Sequence, residues 1–310
     1  MTLHLALPLV ESEEDFDELT DDDLRPGVEA LCRDLGADVS GLHMFPDGSL
    51  PVYAAGPLVL KLFPEPYAEG LPVEAGVLAA VHGRLPIPTP AVHAVGERDG
   101  WGYVLMDRLR GESLETVWDS TDPAARDGLA TQLGEAMAAL HAVPPPGIGD
   151  WWPDDWDEFV AQQRAMCVAR HQGLGLAPDW VERIGPFLDG VELPGAEPVL
   201  LHTEIERRHL LVSPRGDRFT GLFDFEPAIR GAREYEFVNV SVFGSEGDAR
   251  FLGRVLRAYG VSADPAFRRR MMAWTLLHFY SNVRKYLDRL PKPEEPTFEA
   301  LADRWYATES

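Results

Sequence analysis

Leu200-Leu-His-Thr-Glu-Ile-Glu-Arg-Arg-His-Leu-Leu-Val212, followed after the turn Pro214-Arg-Gly-Asp217 by Gly221-Leu-Phe-Asp-Phe-Glu226, is the stretch on which the reading of this chain turns. Its apolar runs at 199–202, 209–212 and 221–225 have the length of short strands, and its polar residues are confined to the loop and turn between them. Glu204 and His209, five residues apart, therefore occupy a loop bounded by strands, and Asp224, fifteen residues after His209, stands at a strand end. Carboxylates fixed in this way on an irregular insert point to chemistry, because a buried charge needs a partner.

The surrounding sequence has two characters. Upstream, 39–45, 51–55 and 57–63 are short, apolar and punctuated by Gly, Pro and Asp, and are predicted as strands joined by hairpins. A helix over 72–82, an extended connector through Pro86, Pro88 and Pro90, and strands near 91–97 and 102–108 complete a small antiparallel sheet carrying one helix. Before it, 25–35 has helical spacing in Val28, Leu31 and Leu35, and 11–23, with nine acids and no base, reads as a frayed, solvated leader. Downstream the periodicity is helical. Leu129, Leu133, Met137 and Leu140 share one face before Pro144-Pro-Pro146, and 266–290 is predicted as one long helix. The expected fold class is α+β: a leader (1–24), a small sheet lobe (25–108) and a larger, mainly helical lobe with a β-loop insert (109–310), with a cleft between the lobes.

Only three of the 28 basic residues are lysines, and one of them, Lys61, stands inside the apolar strand Pro57-Leu-Val-Leu-Lys-Leu-Phe63. An ammonium there must reach the edge or find an acid, and Glu74, thirteen residues on and on the predicted helix, is a candidate. Phosphoryl transfer requires a cation on the nucleotide phosphates, carboxylates that hold Mg²⁺ and an acid that aligns the acceptor hydroxyl; Lys61, Asp224 and Glu204 supply these types. A zinc set of His202, Glu204 and His209 is a weaker alternative, because no fixed ligand spacing supports it.

Bulk properties narrow the partners. With 45% apolar residues in 310, the chain has enough material for one large core or two moderate ones. A formal charge of −23 argues against a nucleic-acid partner, which requires a basic stripe, and favours cationic ligands. The apolar run at 56–63 is far shorter than the roughly 20 residues of a bilayer span, the start lacks a basic signal-peptide region, and a cytoplasmic protein without membrane partners is expected. Cys32 and Cys167, far apart and outside any CxxC, are expected to be ordinary thiols.

With these residues in place, the chain resembles the aminoglycoside phosphotransferase family, related in fold to protein kinases, over roughly 35–290. The resemblance rests on Lys61, on Glu74 in Val73-Glu-Ala-Gly-Val-Leu78, on Trp101-Gly-Tyr-Val-Leu-Met-Asp-Arg-Leu-Arg-Gly111, on Leu140-His141, on the 202–209 loop and on Asp224-Phe-Glu226. It implies a bilobal kinase-like fold and transfer of phosphate from ATP or GTP, with Mg²⁺, to a hydroxyl of an aminoglycoside or a similar, possibly cationic, small molecule. By the same resemblance Lys61 and Glu74 serve the nucleotide phosphates, and Met106, Asp107 and Leu109 form the hinge that meets adenine. Glu204 is then the catalytic acid, Asp224 and His209 hold metal, and Gly231 with Tyr235-Glu236 falls where the family shows Gly-Asp and Tyr-Asp.

This loop reads His202-Thr-Glu204 and ends at His209, where the family has His-Gly-Asp and Asn. The extra methylene of Glu204 displaces its oxygen by about 1 Å unless the loop compensates, enough to cost about a hundredfold in rate. An imidazole at position 209 suits Mg²⁺ less well than an amide oxygen. Two readings follow: an active small-molecule kinase, or an impaired one that binds nucleotide or antibiotic without transfer. Trp151-Trp-Pro-Asp-Asp-Trp-Asp-Glu158 mixes indoles with acids, so Asp154, Asp155 and Asp157, with Glu226 and Glu234, are the candidate contacts for a cationic acceptor, against the plainer reading of a capped helix start.

Overall fold

The structure, a computed structural model, describes residues 6–149, 153–195 and 197–309. Helices α1 (Glu13–Asp17) and α2 (Asp21–Asp34) precede strands β1 (His43–Met44), β2 (Val52–Ala55) and β3 (Leu58–Phe63), helix α3 (Gly70–Val81), and strands β4 (Val92–Arg98) and β5 (Trp101–Asp107). The strands pair antiparallel in the order β1-β2-β3-β5-β4, and Lys61 lies opposite Val52 on one side and Val104 on the other. Successive side chains leave a strand on opposite faces. Leu60 and Leu62 accordingly join Val28, Leu31 and Trp101 in one apolar cluster, and Phe63 joins Val77 and Leu78 of α3 in another. The alternation sends Lys61 to the α3 face, the side that meets the second lobe.

The acidic segment expected to fray is folded instead. Ser12 caps α1, and a reciprocal Thr20/Asp23 capping box starts α2 earlier than the apolar spacing suggests. Leu7 and Val10 are buried, the Trp101 indole donates to Pro8 O at 2.7 Å, and the Tyr53 hydroxyl donates to Asp21 at 2.8 Å. The outer face of the sheet is apolar, and its burial holds a segment whose composition alone favours solvent.

The second lobe continues with strand β6 (Glu112–Ser113), helices α4 (Leu114–Val117), α5 (Pro123–Ala142), α6 (Trp156–Gly173) and α7 (Pro178–Asp189), and strands β7 (Val199–Leu201), β8 (Leu210–Val212), β9 (Phe219–Leu222) and β10 (Ile229–Gly231). Helices α8 (Arg233–Asn239), α9 (Ala249–Tyr259), α10 (Pro265–Leu277), α11 (Val283–Arg289) and α12 (Phe298–Trp305) follow, with a π-helical turn over Val240–Ser245. Strands β7 and β10 pair, as do β6, β8 and β9, so the β-loop insert frames the 202–209 loop as expected. Helix α5 approaches α9 closely at Gly134, where a Cβ would lie 2.3 Å from Val255 O.

The long helix predicted over 266–290 is two helices. His278 leaves helical geometry with ψ 134, and Asn282 caps α11 by accepting from Lys285 N. The cause is tertiary: the His278 ring is stacked on Tyr235 at 4.5 Å and on Phe279 at 5.0 Å, and Phe279 N donates to the Tyr235 hydroxyl at 3.0 Å. These contacts outweigh the helical period of Met272, Leu276, Phe279 and Val283, and they leave Tyr280 60% exposed.

Candidate active site

Lys61 is the meeting point of the two lobes. Its Nζ donates to Glu74 at 3.2 Å and to Asp224 at 2.5 Å, and it is also paired with Glu226. Lys61 is 3% exposed and Glu74 is 0% exposed, so neither charge is tolerable alone. Burial works to lower the ammonium pKa, but the three carboxylates raise it well above its ordinary value. Burial likewise pushes the Asp224 carboxyl up, and Lys61 with His209 overrides it and holds Asp224 well below the usual range. Glu226 goes the other way: burial, with the charges of Asp224 and Glu74 beside it, pushes it up to about 7 against the pull of Lys61. Asp224 is thus the firmly ionised member of the group, and Glu226 is the member poised to take a proton.

The 202–209 loop is pinned from beneath. Glu236 of α8, fully buried, accepts from the backbone N–H of His202 at 2.6 Å and of Thr203 at 2.8 Å. Asn239 donates to Thr203 O, and the Thr203 hydroxyl donates to Pro227 O at 2.9 Å. These bonds hold Thr203 at φ +69, a left-handed conformation that costs a β-branched residue about 1–3 kcal/mol. The strain orients the next residue, Glu204, whose side chain is 20% exposed and whose carboxyl burial, then Asp224 and Glu206, push up to about 7. His202 is structural: its Nε2 donates to Phe223 O at 3.1 Å, its Nδ1 accepts from Glu204 N at 3.2 Å, and burial lowers it to about 4.

His209 has Nδ1 2.9 Å from Glu204 O and Nε2 3.2 Å from Asp224 Oδ2. Both ring nitrogens are thus engaged by oxygen atoms. His209 here steadies Asp224, and ligation of a metal through Nε2 requires that contact to give way. Glu74, Asp224 and Glu226 each offer an oxygen within 4.8 Å of the others, and Glu204, Glu206 and His209 form a second such group. The first, all-oxygen set fits a hard cation such as Mg²⁺; the second, with its imidazole already bonded, fits it less well.

Met106 and Asp107 end β5 and Leu109 follows in the connection between the lobes, with Arg108 N donating to Pro57 O at 2.9 Å. Of the acids expected to meet a cationic acceptor, Asp155 is the N-cap of α6, accepting from Glu158 N at 2.9 Å, and Glu234 accepts from Arg270 through Nε at 3.0 Å and Nη2 at 2.7 Å. Glu226 is engaged with Lys61, and Asp154 and Asp157 are exposed. Trp151 and Trp152 lie outside the described residues, and Trp156 is a core residue stacked on Phe159 at 5.0 Å.

Three participants went unsingled from sequence. Glu206, 8% exposed and paired with Arg208 at 2.9 Å, shares the second acidic group; its only signal was a second glutamate in the same loop. The Glu236 clamp was visible only as a family-like position. Tyr280 stands just past the helix break, and its hydroxyl is pushed up to about 12 by burial and then by Glu204, Glu226 and Asp224.

Comparison with known proteins agrees with this geometry. A GDP complex of a mutant aminoglycoside 2′-phosphotransferase-IIIa superposes with a TM-score of 0.67 at 20% identity, covering 80% of this chain and 86% of that one. The streptomycin–ATP–APH(2")-IIa ternary complex gives 0.60 at 18% identity over 80% and 89%. A thermostable mutant of aminoglycoside phosphotransferase APH(4)-Ia, bound to ADP and hygromycin B, gives 0.62 at 21% identity over 90% and 95%. At these identities the likeness establishes the kinase-like, two-lobed fold. The sequence model of the phosphotransferase enzyme family matches residues 50–273, a span running from β2 through the Lys61 strand, the 202–209 loop and Asp224 into α10, and the chain belongs to that family.

Proposed function

We propose that this protein is a nucleotide-dependent O-phosphotransferase acting on a hydroxyl of a small molecule, with ATP or GTP as donor. The observation that carries this reading is the convergence on one point of a sheet-lobe ammonium, Lys61 Nζ, and a helical-lobe carboxylate, Asp224 Oδ1, at 2.5 Å, with Glu204 in the same cleft. Lys61 exchanges its carboxylate partners for the α- and β-phosphates of the donor, and Glu74 keeps the ammonium aimed. Asp224 and Glu226 are the groups that would hold Mg²⁺, which supplies charge neutralisation on the phosphate oxygens. Glu204 accepts a hydrogen bond from the acceptor hydroxyl and takes its proton as the new P–O bond forms and the bond to the β-phosphate oxygen breaks. The products are the phosphate ester and the nucleoside diphosphate.

An aminoglycoside-like polycation is the acceptor that similarity to the antibiotic-bound neighbours nominates. A cytoplasmic setting, where ATP and Mg²⁺ are plentiful, fits the reading, and among the described residues no helix is long and apolar enough to cross a membrane. The second reading, a protein that binds nucleotide without transferring phosphate, draws support from the longer carboxylate at Glu204 and from the engagement of His209 Nε2 with Asp224 at 3.2 Å. The test is a melting curve with and without ATP·Mg²⁺ or GTP·Mg²⁺, together with mass-spectrometric detection of phosphorylated acceptors, on the wild type and on Asp224→Asn. An active enzyme shows both a rise in melting temperature and product, and loses product at least a hundredfold in Asp224→Asn. A rise without product from any alcohol supports the second reading. No response to either nucleotide refutes both.

A further inference from the structure

An open cavity of about 800 Å³ lies between the 278–282 break, α11, the end of α6 and the π-helical turn. Its walls carry four aromatic rings, Phe243, Phe279, Tyr280 and Tyr286. Its charged residues are Arg170, Lys285 and Arg289 against a single acid, Asp288, in a chain whose net charge is −23. The sign of this cavity is therefore opposite to that of the molecule. Among the described residues Arg170 forms no ion pair and donates to Gln163 Oε1 at 2.6 Å and Leu276 O at 2.8 Å, so its charge is not cancelled. Lys285 is exposed and forms no ion pair among the described residues. Arg289 lies over the Phe243 ring at 5.1 Å and shares one carboxylate, Glu246, with Arg207.

The cavity is joined to the catalytic loop by direct contacts. Arg207, within the 202–209 loop, donates through Nε to Gly244 O at 2.7 Å, beside Phe243, and through Nη1 to Glu246 at 3.0 Å, the residue that also holds Arg289. On the other side Tyr280 lines the cavity, and burial together with the charges of Glu204, Glu226 and Asp224 raises its hydroxyl. A molecule seated here would have its body among rings and cations. A polyamine would be repelled by three positive side chains, whereas a flat ring system bearing a carboxylate or phosphate would stack on the aromatics and pair with the cations.

We infer that this cavity is the acceptor's seat and that it selects an alcohol with an aromatic body and an anionic group, in place of the polycation that likeness to the antibiotic-bound neighbours nominates. The inference rests on the phosphotransferase reading for its use, but the selectivity is a binding property measurable without turnover. The test is calorimetric titration of the full chain with a matched pair, 4-(hydroxymethyl)benzoate and 4-(hydroxymethyl)benzylamine, and with kanamycin. The benzoate is expected to bind about tenfold more tightly than the benzylamine. Lys285→Glu, a change at an exposed position, is expected to abolish or reverse that preference, and Tyr280→Ala to weaken the benzoate roughly fivefold through lost stacking. Equal or tighter binding of the benzylamine or kanamycin overturns the inference, as does binding of neither probe by roughly 10 mM or a preference unchanged in Lys285→Glu. A benzoate preference that persists in a chain blind to ATP·Mg²⁺ would sustain the cavity's selectivity and refute the kinase reading, so the two failures are separable.

Discussion

Lys61→Met removes the ammonium and keeps the bulk of the side chain, so its effect on stability is electrostatic. In the wild type one cation, 3% exposed, serves Glu74, Asp224 and Glu226 at once. Removing one partner of a buried pair costs about 3–5 kcal/mol, because the remaining charges are left without compensation. Here the orphaned groups are acids that have an alternative, which is to bind protons. Burial already raises Glu74 and takes Glu226 to about 7, and loss of the cation raises both further and lifts Asp224 from its depressed value. An acid whose folded pKa exceeds its unfolded one loses stability as pH rises through that interval. The deficit of Lys61→Met relative to wild type is therefore largest near about pH 8 and shrinks toward about pH 5.5, where the acids are neutral. Urea unfolding followed by circular dichroism at the two pH values measures it. At the upper pH a loss of about 3–5 kcal/mol corresponds to a fall in Tm of roughly 5–8 °C. A deficit below about 1 kcal/mol, or one independent of pH, would refute the description of Lys61 as the counter-charge shared by Glu74, Asp224 and Glu226.

Other outcomes test the loop. Glu204 must be ionised to accept the hydroxyl proton, so kcat/KM is expected to fall as pH drops below about 7, and Glu204→Gln to lower kcat about a hundredfold or more while abolishing that acid limb. A limb that survives in Glu204→Gln assigns the titration elsewhere. At position 203, Gly and Ala both delete the hydroxyl, but only Gly relieves the left-handed backbone. Thr203→Gly is expected to be about 1 kcal/mol more stable than Thr203→Ala, measured by denaturant unfolding, and equal stability would mean that φ +69 carries no strain.

What was legible in the sequence was what one residue's chemistry demands of its neighbours. A lysine inside an apolar strand requires an acid, and the nearest helical one, Glu74, is its partner. Strand-like runs on either side of Glu204 specified the β-loop insert, whereas the run read as 221–225 pairs over Phe219–Leu222, so Asp224 stands two residues beyond its strand. What was hidden depended on distant packing. The period from Met272 to Leu287 carries no sign of the His278 stack on Tyr235 that breaks the helix. The acidity of residues 11–23 says nothing of the apolar sheet face they cover. Asp155 and Glu234 look like free carboxylates until Glu158 N and Arg270 are found beside them. The backbone N–H groups that Glu236 receives have no signature in residue types at all.

The N-terminal strap has a consequence for the order of assembly. Leu7 N donates to Asp99 at 3.1 Å and Pro8 receives the Trp101 indole, contacts spanning 92 and 93 residues of chain. On the ribosome this segment emerges well before β5 and is without its docking surface until that strand has been synthesised, and the loop it must close is long. During that interval its nine acids keep it hydrated and repel neighbouring nascent chains, whereas an apolar strap would offer them a sticky end. The same charges that make the segment look superfluous in the finished protein serve it while it waits.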